Sequence, residues 1–534
     1  MFRIIKRMHR KSRILKENAA SGSDSKNKPA VFLTSELKKN LELFRDILDS
    51  SPDIIIREFN FGHEKKASGA LLYVDGLTNR DLLDNSVLKP LMFDDCFIAN
   101  SEDPDMSDID TISKNLIAAS DIKKKSDMDD ILDDLLSGNA IVLIDSFKEA
   151  LSIGNKKWDK RSVSEPSTEA LVRGPRDGFT ESIRTNTALL RRRMKNTDLC
   201  FENFKIGKRT KTDVSVAYIK GIVMPGLVEE IKKRLNRIQT DAVLESGYIE
   251  AFIEDAPHSI FSTVGNTERP DTVAAKILEG RAAIFVDGTP FVLTVPMLFV
   301  ENFVNPEDYY IRPYFASYIR FIRYLCYFVA VFSPAIYVAL TTFHQELIPT
   351  QLLFTMSAGV SGVPFPAAVE AALMLITFDI LREAGIRLPI AVGQAVSIVG
   401  ALVIGQASVS AGLIGPFMVI IIAITAVCSF VVSSLNDSST LLRYFFVILA
   451  ALMGGFGIAM GLLFILLHLI SLRSFGVPYL SPLAPLTLKD LKDTLVRLPH
   501  WAMGTRPRVL ARRNRNRQKP DLMPQPPDAK NIET

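Results

Sequence analysis

The sequence is poor in the residues from which many catalytic and metal sites are built. Its 534 residues include four cysteines, at positions 96, 200, 326 and 428, and no two of them form a CxxC motif. The six histidines are scattered, without HExxH or comparable ligand spacing, and no GxSxG, GxGxxG or GxxxxGKS/T motif is present. We therefore expect isolated reduced thiols, no metal, no cofactor and no enzymatic activity.

The chain also lacks a large net charge. Its formal net charge of +4 is small for this length and gives no support to nucleic-acid binding. Basic residues nevertheless cluster near both ends, within 3–16 and 506–519. Beside a membrane domain, such clusters favour anionic lipid on the cytoplasmic side over RNA. The N-terminal cluster is not followed by the apolar segment of a signal peptide, so we expect the polar N-terminal region in the cytoplasm.

Hydropathy is distributed unevenly, because the chain is polar up to about residue 320 and strongly apolar from about 322 to 472. The apolar part divides into segments at 322–343, 367–381, 390–404, 416–432 and 444–472. Five crossings would place the basic C-terminal tail outside, against the positive-inside rule. Either one segment does not cross, or the last one folds as a hairpin at its glycines, Gly454, Gly455 and Gly457. We expect four to six crossings with both ends cytoplasmic.

Two parts of the polar region resemble each other in sequence. LLYVDGLTNRDLL from residue 71 resembles VAYIKGIVMPGLV from residue 216, and LSGNAIVLID from residue 136 resembles LEGRAAIFVD from residue 278. The two offsets, 145 and 142 residues, are nearly equal and predict two related α/β subdomains. The shared glycines predict positive φ angles or tight turns. The matched pairs include Gly76 with Gly221, Gly138 with Gly280, and Asp145 with Asp287.

Local patterns predict the elements of the first subdomain. Helical spacing predicts a helix within 31–48, with Thr34 or Ser35 as its N-cap, and a second helix at 127–138 ending at Gly138. Short apolar runs predict strands at 53–61, 70–77 and 139–145.

A densely charged stretch, EPSTEALVRGPRDGFTESIRTNTALLRRR (165–193), lies between the two related parts. Its charges are able to form several ion pairs, so it is either a solvated loop or a structured connector that docks on its own domains or on a neighbouring subunit. The candidate coupling or intersubunit residues are Glu165, Glu169, Arg173, Arg176, Asp177, Glu181 and Arg184.

Four polar residues lie in or near the apolar segments: Glu370, Asp379, Gln394 and Gln406. Such groups are costly in a membrane unless they face a partner or water. They indicate either hydrogen bonding between helices or a pore. The third apolar segment is rich in Gly, Ala and Ser, which permits close helix packing and leaves room for a water-lined wall.

Three blocks carry a resemblance to a known family: 165–193, 269–303 (RPDTVAAKILEGRAAIFVDGTPFVLTVPMLFVENF) and 363–389 (VPFPAAVEAALMLITFDILREAGIRLP). Together they resemble the A subunit of the GerA-family spore germinant receptors, from about residue 31 to 480. The expected fold is an α/β soluble N-terminal region of two related subdomains followed by an α-helical transmembrane bundle. The expected divisions are a basic tail (1–30), subdomain 1 (31–160), the charged connector (161–195), subdomain 2 (196–315), the transmembrane domain (316–475) and a basic cytoplasmic tail (476–534).

The resemblance implies a function that residue patterns alone do not. Proteins of this kind lie in the inner membrane of spores with a transporter-like B subunit and a lipoprotein C subunit, sense nutrients and trigger germination. The A subunit is expected to oligomerise into a ligand-gated cation channel, and the nutrient pocket is attributed to the B subunit. Three alternatives stay open: an accessory protein like stage V sporulation protein AF, a solute transporter, and a scaffold without a pore.

Overall fold

A computed structural model describes residues 32–48, 51–61, 67–93, 109, 121–156, 165–166, 168–387, 405–511, 514–519 and 522–524. The chain divides into two compact units. The first comprises 1–162 with 184–202, and the second comprises 163–183 with 203–534. The charged connector is thus divided: its first part belongs to the second unit, and residues 184–195 belong to the first.

The first unit contains an antiparallel five-stranded sheet in the order β1-β2-β4-β5-β3. Its strands are β1 Ile54–Phe61, β2 Ala67–Val74, β3 Ile122–Lys125, β4 Ala140–Ile144 and β5 Ala150–Ile153. Its helices are α1 Leu37–Leu48, α2 Arg80–Leu83, α3 Lys89–Phe93 and α4 Met128–Leu136, with a π-helical segment at Asp84–Leu88. A further helix, α5 Ile183–Arg193, lies in the last part of the connector. The helices and strands predicted for this subdomain are therefore confirmed.

The second unit repeats this topology. Its sheet has the order β6-β7-β9-β10-β8, which is the first order with each strand replaced by its counterpart. The strands are β6 Leu199–Ile206, β7 Thr212–Ile219, β8 Gly265–Thr267, β9 Ala282–Val286 and β10 Val292–Val295, and the helices are α6 Leu227–Arg237, α7 Ser246–Ile253 and α8 Pro270–Leu278. The predicted duplication is confirmed.

The matched glycines have the same backbone conformation in both repeats. Gly76 and Gly221 have φ values of +82° and +77°, and Gly138 and Gly280 have +94° and +103°. A side chain at either of the last two would also be crowded by main-chain oxygens. Only glycine adopts this backbone region at little cost, which explains why both repeats have glycine at these positions.

The matched aspartates bind a helix N-terminus in both repeats. The Asp145 carboxylate accepts from the Leu37 N–H at 2.9 Å, and the Asp287 carboxylate accepts from the Ile183 N–H at 3.0 Å. A carboxylate at this position satisfies an unpaired N–H group and is favoured by the helix dipole. The predicted N-cap at Thr34 or Ser35 is wrong, because α1 begins at Leu37 and a distant side chain binds its first N–H.

The C-terminal part of the second unit is rich in apolar helices. They are α9 Pro313–Thr342, α10 Thr350–Val360, α11 Ala367–Arg387, α12 Pro416–Val431 and α13 Asn436–Ser471, and residues 405–410 are also helical. Within the described ranges, two helical segments, Pro313–Thr342 and Ser433–Ser471, are long and apolar enough to cross a membrane. The rest of the predicted third segment, 390–404, lies outside the described residues.

The last apolar run turns back on itself at Gly454. This residue has φ +60° and ψ −140°, inside the range of α13. A Cβ at Gly457 would overlap the Leu449 carbonyl, and one at Gly461 would lie 2.8 Å from the Phe446 ring. In a straight helix these pairs would be separated by about 12 and 22 Å along the axis. The predicted hairpin at the glycines is therefore present, and α13 consists of two antiparallel arms.

Both ends of this hairpin return to one loop of the second unit. Ser438, near the start of α13, donates to the Ile260 carbonyl, and the Ser259 hydroxyl lies 3.0 Å from Nε2 of His468, near its end. The tip contacts the end of α9, where the Gly455 N–H donates to Nε2 of His344 at 3.1 Å. The chain then continues into β11 Arg473–Ser474, β12 Val477–Pro478 and the 3-10 turns Leu491–Asp493 and His500–Ala502.

Candidate functional site

The connector is held on the second unit by Arg269, the residue before α8. The Arg269 side chain is fully buried. Its guanidinium donates to the carbonyl oxygens of Glu169 at 3.1 Å and Pro175 at 2.7 Å, and to the Asp271 carboxylate at 3.1 Å. Tyr310 donates its hydroxyl to the same carboxylate at 2.6 Å. One cation therefore fixes two points of the connector main chain, and Asp271 balances its charge.

The carboxylate of Glu169 lies beside this arginine. The Thr267 hydroxyl donates to Glu169 Oε2 at 2.6 Å, and the side chain of Glu268 accepts from the Thr168 N–H at 3.4 Å. Burial raises the pKa of Glu169 above its ordinary value, because removal of water disfavours the charged form. The site therefore favours the protonated form of this carboxyl more than water does.

The next part of the connector pairs with the same unit through its main chain. The Phe179 N–H donates to the Glu268 carbonyl at 2.8 Å, and the Gly288 N–H donates to the Glu181 carbonyl at 2.8 Å. The Phe179 ring packs edge-on against Phe285 of β9, with centroids 5.5 Å apart. These contacts show a structured connector, so the alternative of a solvated loop does not hold for residues 168–183.

The predicted coupling residues take different positions. Glu169 is half-buried and accepts from the Thr267 hydroxyl, whereas Glu165 and Arg176 form a weak ion pair at 3.9 Å with largely exposed side chains. Arg173 contacts Glu307 only through its backbone N–H, at 3.2 Å, and its side chain is exposed, as is that of Glu181. Arg184, which belongs to the first unit, lies 3.8 Å from Asp75, and Asp177 is half-buried.

In the first unit, a second buried arginine holds the last part of the connector. Arg191 of α5 is fully buried and donates from Nε and Nη2 to the two oxygens of Asp53, at 2.9 and 3.0 Å. Its guanidinium also lies over the Phe201 ring, 5.1 Å from the centroid. A bidentate buried pair of this kind costs about 3–5 kcal/mol to break. The connector thus has a buried arginine anchor in each unit.

A third buried arginine lies at the start of the first apolar helix. Arg320 of α9 donates to Asp308 at 2.8 Å and to the Asp493 carboxylate at 2.8 Å. Tyr309 donates its hydroxyl to Asp493 at 2.7 Å, and Arg323 also pairs with Asp308 at 2.8 Å. Burial and the Asp493 carboxylate raise the pKa of Tyr309 well above its ordinary value. This network joins the base of α9 to the C-terminal segment.

The C-terminal segment is bound rather than extended. Arg497 donates to the carbonyls of Ile311 and Tyr309, both at 3.2 Å, and Arg506 donates to the Leu278 carbonyl at 2.7 Å. Leu510 is fully buried. Arg506, one of the basic residues of the cluster that the sequence assigns to a lipid surface, is thus used inside the second unit.

The intramembrane candidates form hydrogen bonds between helices. Glu370 is 1% exposed and accepts from the Gly415 N–H, at the start of α12, at 3.2 Å. Asp379 accepts from the Tyr444 hydroxyl of α13 at 2.7 Å. Gln406 lies in the helical residues 405–410 with an exposed side chain, and Gln394 falls outside the described residues.

Sequence reasoning missed the arginines that hold these contacts. Arg191, Arg269 and Arg320 each lie in a pattern typical of a surface helix or helix start. The carboxylates of Asp53, Asp308 and Asp493 that bind Arg191 and Arg320 are 12 to 173 residues away, and Arg269 binds two main-chain carbonyls about 100 residues away. For Arg269 a sequence signal was nevertheless present. It is the first residue of one of the three blocks that carry the family resemblance, and a proline at a helix start follows it directly.

The fold and these sites define a protein with a duplicated α/β region, a structured connector and a set of apolar helices. A sequence profile described as Bacillus/Clostridium GerA spore germination protein matches residues 42–509. The chain belongs to this GerA family.

Individual relatives agree with that assignment. The chain is 45% identical over 498 residues to Spore germination protein KA of Bacillus subtilis (strain 168), covering 93% of this chain and 90% of that protein. It is 43% identical to the uncharacterized membrane protein YfkQ of the same organism, covering 92% and 94%. The crystal structure of the N-terminal domain of the A subunit of the Bacillus megaterium spore germinant receptor GerK3 is 37% identical, with a TM-score of 0.41 over 51% of this chain and 99% of that one.

Proposed function

We propose that this protein is an A subunit of a nutrient germinant receptor in the spore inner membrane, and that its copies assemble into the ligand-gated cation channel that triggers germination. The observation that carries the proposal is the match to a spore germination protein over 93% of the chain. Nutrient recognition is assigned to a transporter-like B subunit, with a lipoprotein C subunit as the third component. The proposal needs neither a cofactor nor catalysis.

A membrane location is supported by the surface of the apolar helices. Large apolar side chains on α12 and α13 are exposed, among them Ile420, Val427, Phe430, Leu452 and Phe464, each 55–69% exposed. Isolated exposed apolar residues are ordinary, but a continuous apolar helix surface indicates lipid or a neighbouring subunit. We assign these surfaces to lipid and to subunit contacts.

The contacts among the described helices support a membrane bundle, for which we keep the predicted four to six crossings. α9 runs from the Arg320 network to the hairpin tip. α11 runs in the opposite direction: Glu370, near its start, contacts Gly415, and Arg382, near its end, donates to the Asn436 side chain at 2.9 Å. α12 then runs back to the base, where Ser434 donates to the Asn302 carbonyl. The two arms of α13 leave this base and return to it, since Ser438 and His468 both contact the loop at Ser259–Ile260. We assign this base to the cytoplasmic side under the positive-inside rule.

The proposed conduction path uses polar groups of the apolar helices. Glu370 is the best candidate because it is an acidic group buried where α11 meets α12, and one of its oxygens has no protein partner among the described residues. A carboxylate in this position attracts cations and is costly without a partner. Asp379 and Gln406 are the next candidates, and Gln394 is retained from the sequence.

The connector is the proposed coupling element between the soluble repeats and the helices. Arg269 binds the connector through Glu169 and Pro175, and Asp271 joins that site to Tyr310, three residues before α9. A shift of the connector therefore reaches the first apolar helix through one buried chain of contacts. Ligand binding to a partner subunit then shifts the equilibrium between the closed and open states of the channel, because the ligand-bound partner contacts the two states differently.

Reconstitution of the purified full-length chain in planar bilayers tests the channel proposal. We expect cation conductance that falls when Glu370 is changed to Gln, with Glu346→Gln, an exposed acidic residue between α9 and α10, as the control. A chain that carries solute without conductance would support the transporter alternative. A chain with neither activity would support an accessory or scaffold role.

A further inference from the structure

Arg443, near the start of α13, is fully buried and yet mostly unpaired. Its Nη2 donates to the Thr440 hydroxyl at 3.3 Å, whereas Nε and Nη1 are buried without a hydrogen-bond partner among the described residues. Within the same ranges it forms no ion pair, and the nearby Asp379 pairs with Arg382 instead. An uncompensated cation is costly to remove from water, so this side chain indicates an anionic partner from outside the chain.

A second arginine, Arg382 near the end of α11, contacts the same hydroxyl. Its Nη1 donates to the Asn436 side chain at 2.9 Å and to Thr440 Oγ1 at 3.4 Å. Two guanidiniums from different helices therefore meet at one small side chain, where their charges repel each other. Because the planar guanidinium matches the geometry of phosphate oxygens, two arginines that converge in this way form a suitable phosphate site.

The carboxylates around this pair do not balance its charge. Asp379 accepts from the Tyr444 hydroxyl at 2.7 Å, and its other oxygen lies 3.9 Å from Nη2 of Arg382. Asp437, in the first turn of α13, is exposed and has no ion pair in the part of the chain that the structure describes. One partly engaged carboxylate therefore faces two guanidiniums, and the cluster keeps an excess of one positive charge.

The cluster lies where the apolar helices meet the soluble repeat. Ser438 donates to the Ile260 carbonyl of the second repeat. Thr440 and Arg443 follow Ser438 by about 3 and 7.5 Å along the helix axis, and the last apolar run begins at the next residue. Lipid phosphate groups occupy this level, between the hydrocarbon core and water. Basic pockets between membrane helices on the cytoplasmic side bind such headgroups.

We propose that Arg382 and Arg443 bind a phosphate group between α11 and α13, and that an anionic phospholipid of the surrounding bilayer supplies it. Arg382 and Thr440 are half-buried and form the entrance, whereas Arg443 is the buried floor. The phosphate oxygens accept from the nitrogens of both arginines, and one negative charge balances the cluster. This site rests on the proposed membrane location of the helices and is independent of ion conduction.

Thermal unfolding of the purified full-length chain in detergent micelles tests the site with phosphatidylglycerol, phosphatidylcholine or inorganic phosphate added. We expect phosphatidylglycerol to raise the melting temperature of the wild-type chain. The concentration needed should increase at least about tenfold in Arg382→Gln and in Arg443→Gln, since each loses charge-assisted hydrogen bonds to the ligand. Arg387→Gln is the matched control, because it removes an exposed arginine of the same helix and should leave that concentration unchanged.

The added anions distinguish the two sources of phosphate. Stabilisation by inorganic phosphate over chloride at equal ionic strength, lost in Arg382→Gln and Arg443→Gln, would support the site and assign it to a soluble phosphate instead of a lipid. A wild-type chain that phosphatidylglycerol stabilises no more than phosphatidylcholine does, and that inorganic phosphate does not stabilise, would overturn the proposal.

Arg443→Gln also separates ligand binding from a purely structural role. Because this change removes a buried cation that lacks a counterion, we expect the variant to be at least as stable as wild type in phosphatidylcholine and less stable in phosphatidylglycerol. Destabilisation of the same size in both lipids would overturn the proposal. If Arg443→Gln does not accumulate, the same comparison is made with Arg382→Gln. Recovery of the chain from cells in the soluble fraction without detergent would instead contradict the membrane location.

Discussion

The guanidinium of Arg269 donates a hydrogen bond to the main-chain carbonyl of Glu169, 100 residues earlier, at 3.1 Å. This contact docks the connector on the second unit. Its acceptor is a main-chain carbonyl, which no side-chain substitution in the connector removes. Together with the bond to the Pro175 carbonyl, it holds a segment whose composition is typical of a charged loop. The part of the connector in the second unit is therefore held by a buried cation from outside the connector rather than by its own exposed charges.

Arg269→Ala should release the connector. The change leaves two carbonyls without donors and the Asp271 carboxylate without its cation, so we expect a loss of about 3 kcal/mol in the free energy of unfolding. Arg176→Ala is the matched control, because its ion pair with Glu165 is exposed and long, and we expect about 0.5 kcal/mol or less. Hydrogen exchange of residues 168–183 in the detergent-solubilised chain measures the difference. Equal protection in both variants would contradict the assignment.

Glu169→Gln should change how stability depends on pH. Burial raises the pKa of Glu169 above its ordinary value of 4.5, so the folded state binds this proton more tightly than the unfolded state does. The stability from this group is present below the unfolded pKa and is lost as pH rises through the folded pKa. The Gln variant should therefore gain stability over wild type as pH rises. Thermal unfolding of both proteins between pH 4 and 8 checks this, and a difference independent of pH would exclude it.

Arg173→Ala and Glu181→Ala test whether the exposed charges of the connector bind a partner. Their contacts within this chain are made by the backbone N–H of Arg173 and the carbonyl of Glu181, which both variants retain. We expect unchanged protein levels in the membrane and loss of germination. Normal germination of both variants would show that these side chains have no part in coupling or subunit contact.

Gly454→Ala should disrupt the hairpin of α13. The backbone at Gly454 has a positive φ, and a Cβ there would lie 2.8 Å from Phe343 Cβ. Strain of this kind costs about 1–3 kcal/mol, and the clash adds to it. Gly362→Ala is the control, because a Cβ at that position would have no atom within 4 Å. We expect a lower melting temperature for Gly454→Ala alone; equal melting temperatures would argue against a tight turn at this residue.

Much of this fold follows from local sequence. The strands, the duplicated glycines and the turn at Gly454 are predictable because each depends on residues a few positions apart or on the φ freedom of glycine. The Asp145 cap and the Arg320 network are not, since their partners are brought together only by tertiary packing. The site is thus less predictable than the elements that carry it.

Cation release from spores that lack this protein, compared with wild-type spores across a panel of single nutrients, tests the central claim most directly. A germinant receptor subunit predicts that release is lost for one nutrient while the responses to others persist. Restoring the wild-type chain should restore that response, and Glu370→Gln should not. Unchanged release for every nutrient would contradict the receptor assignment.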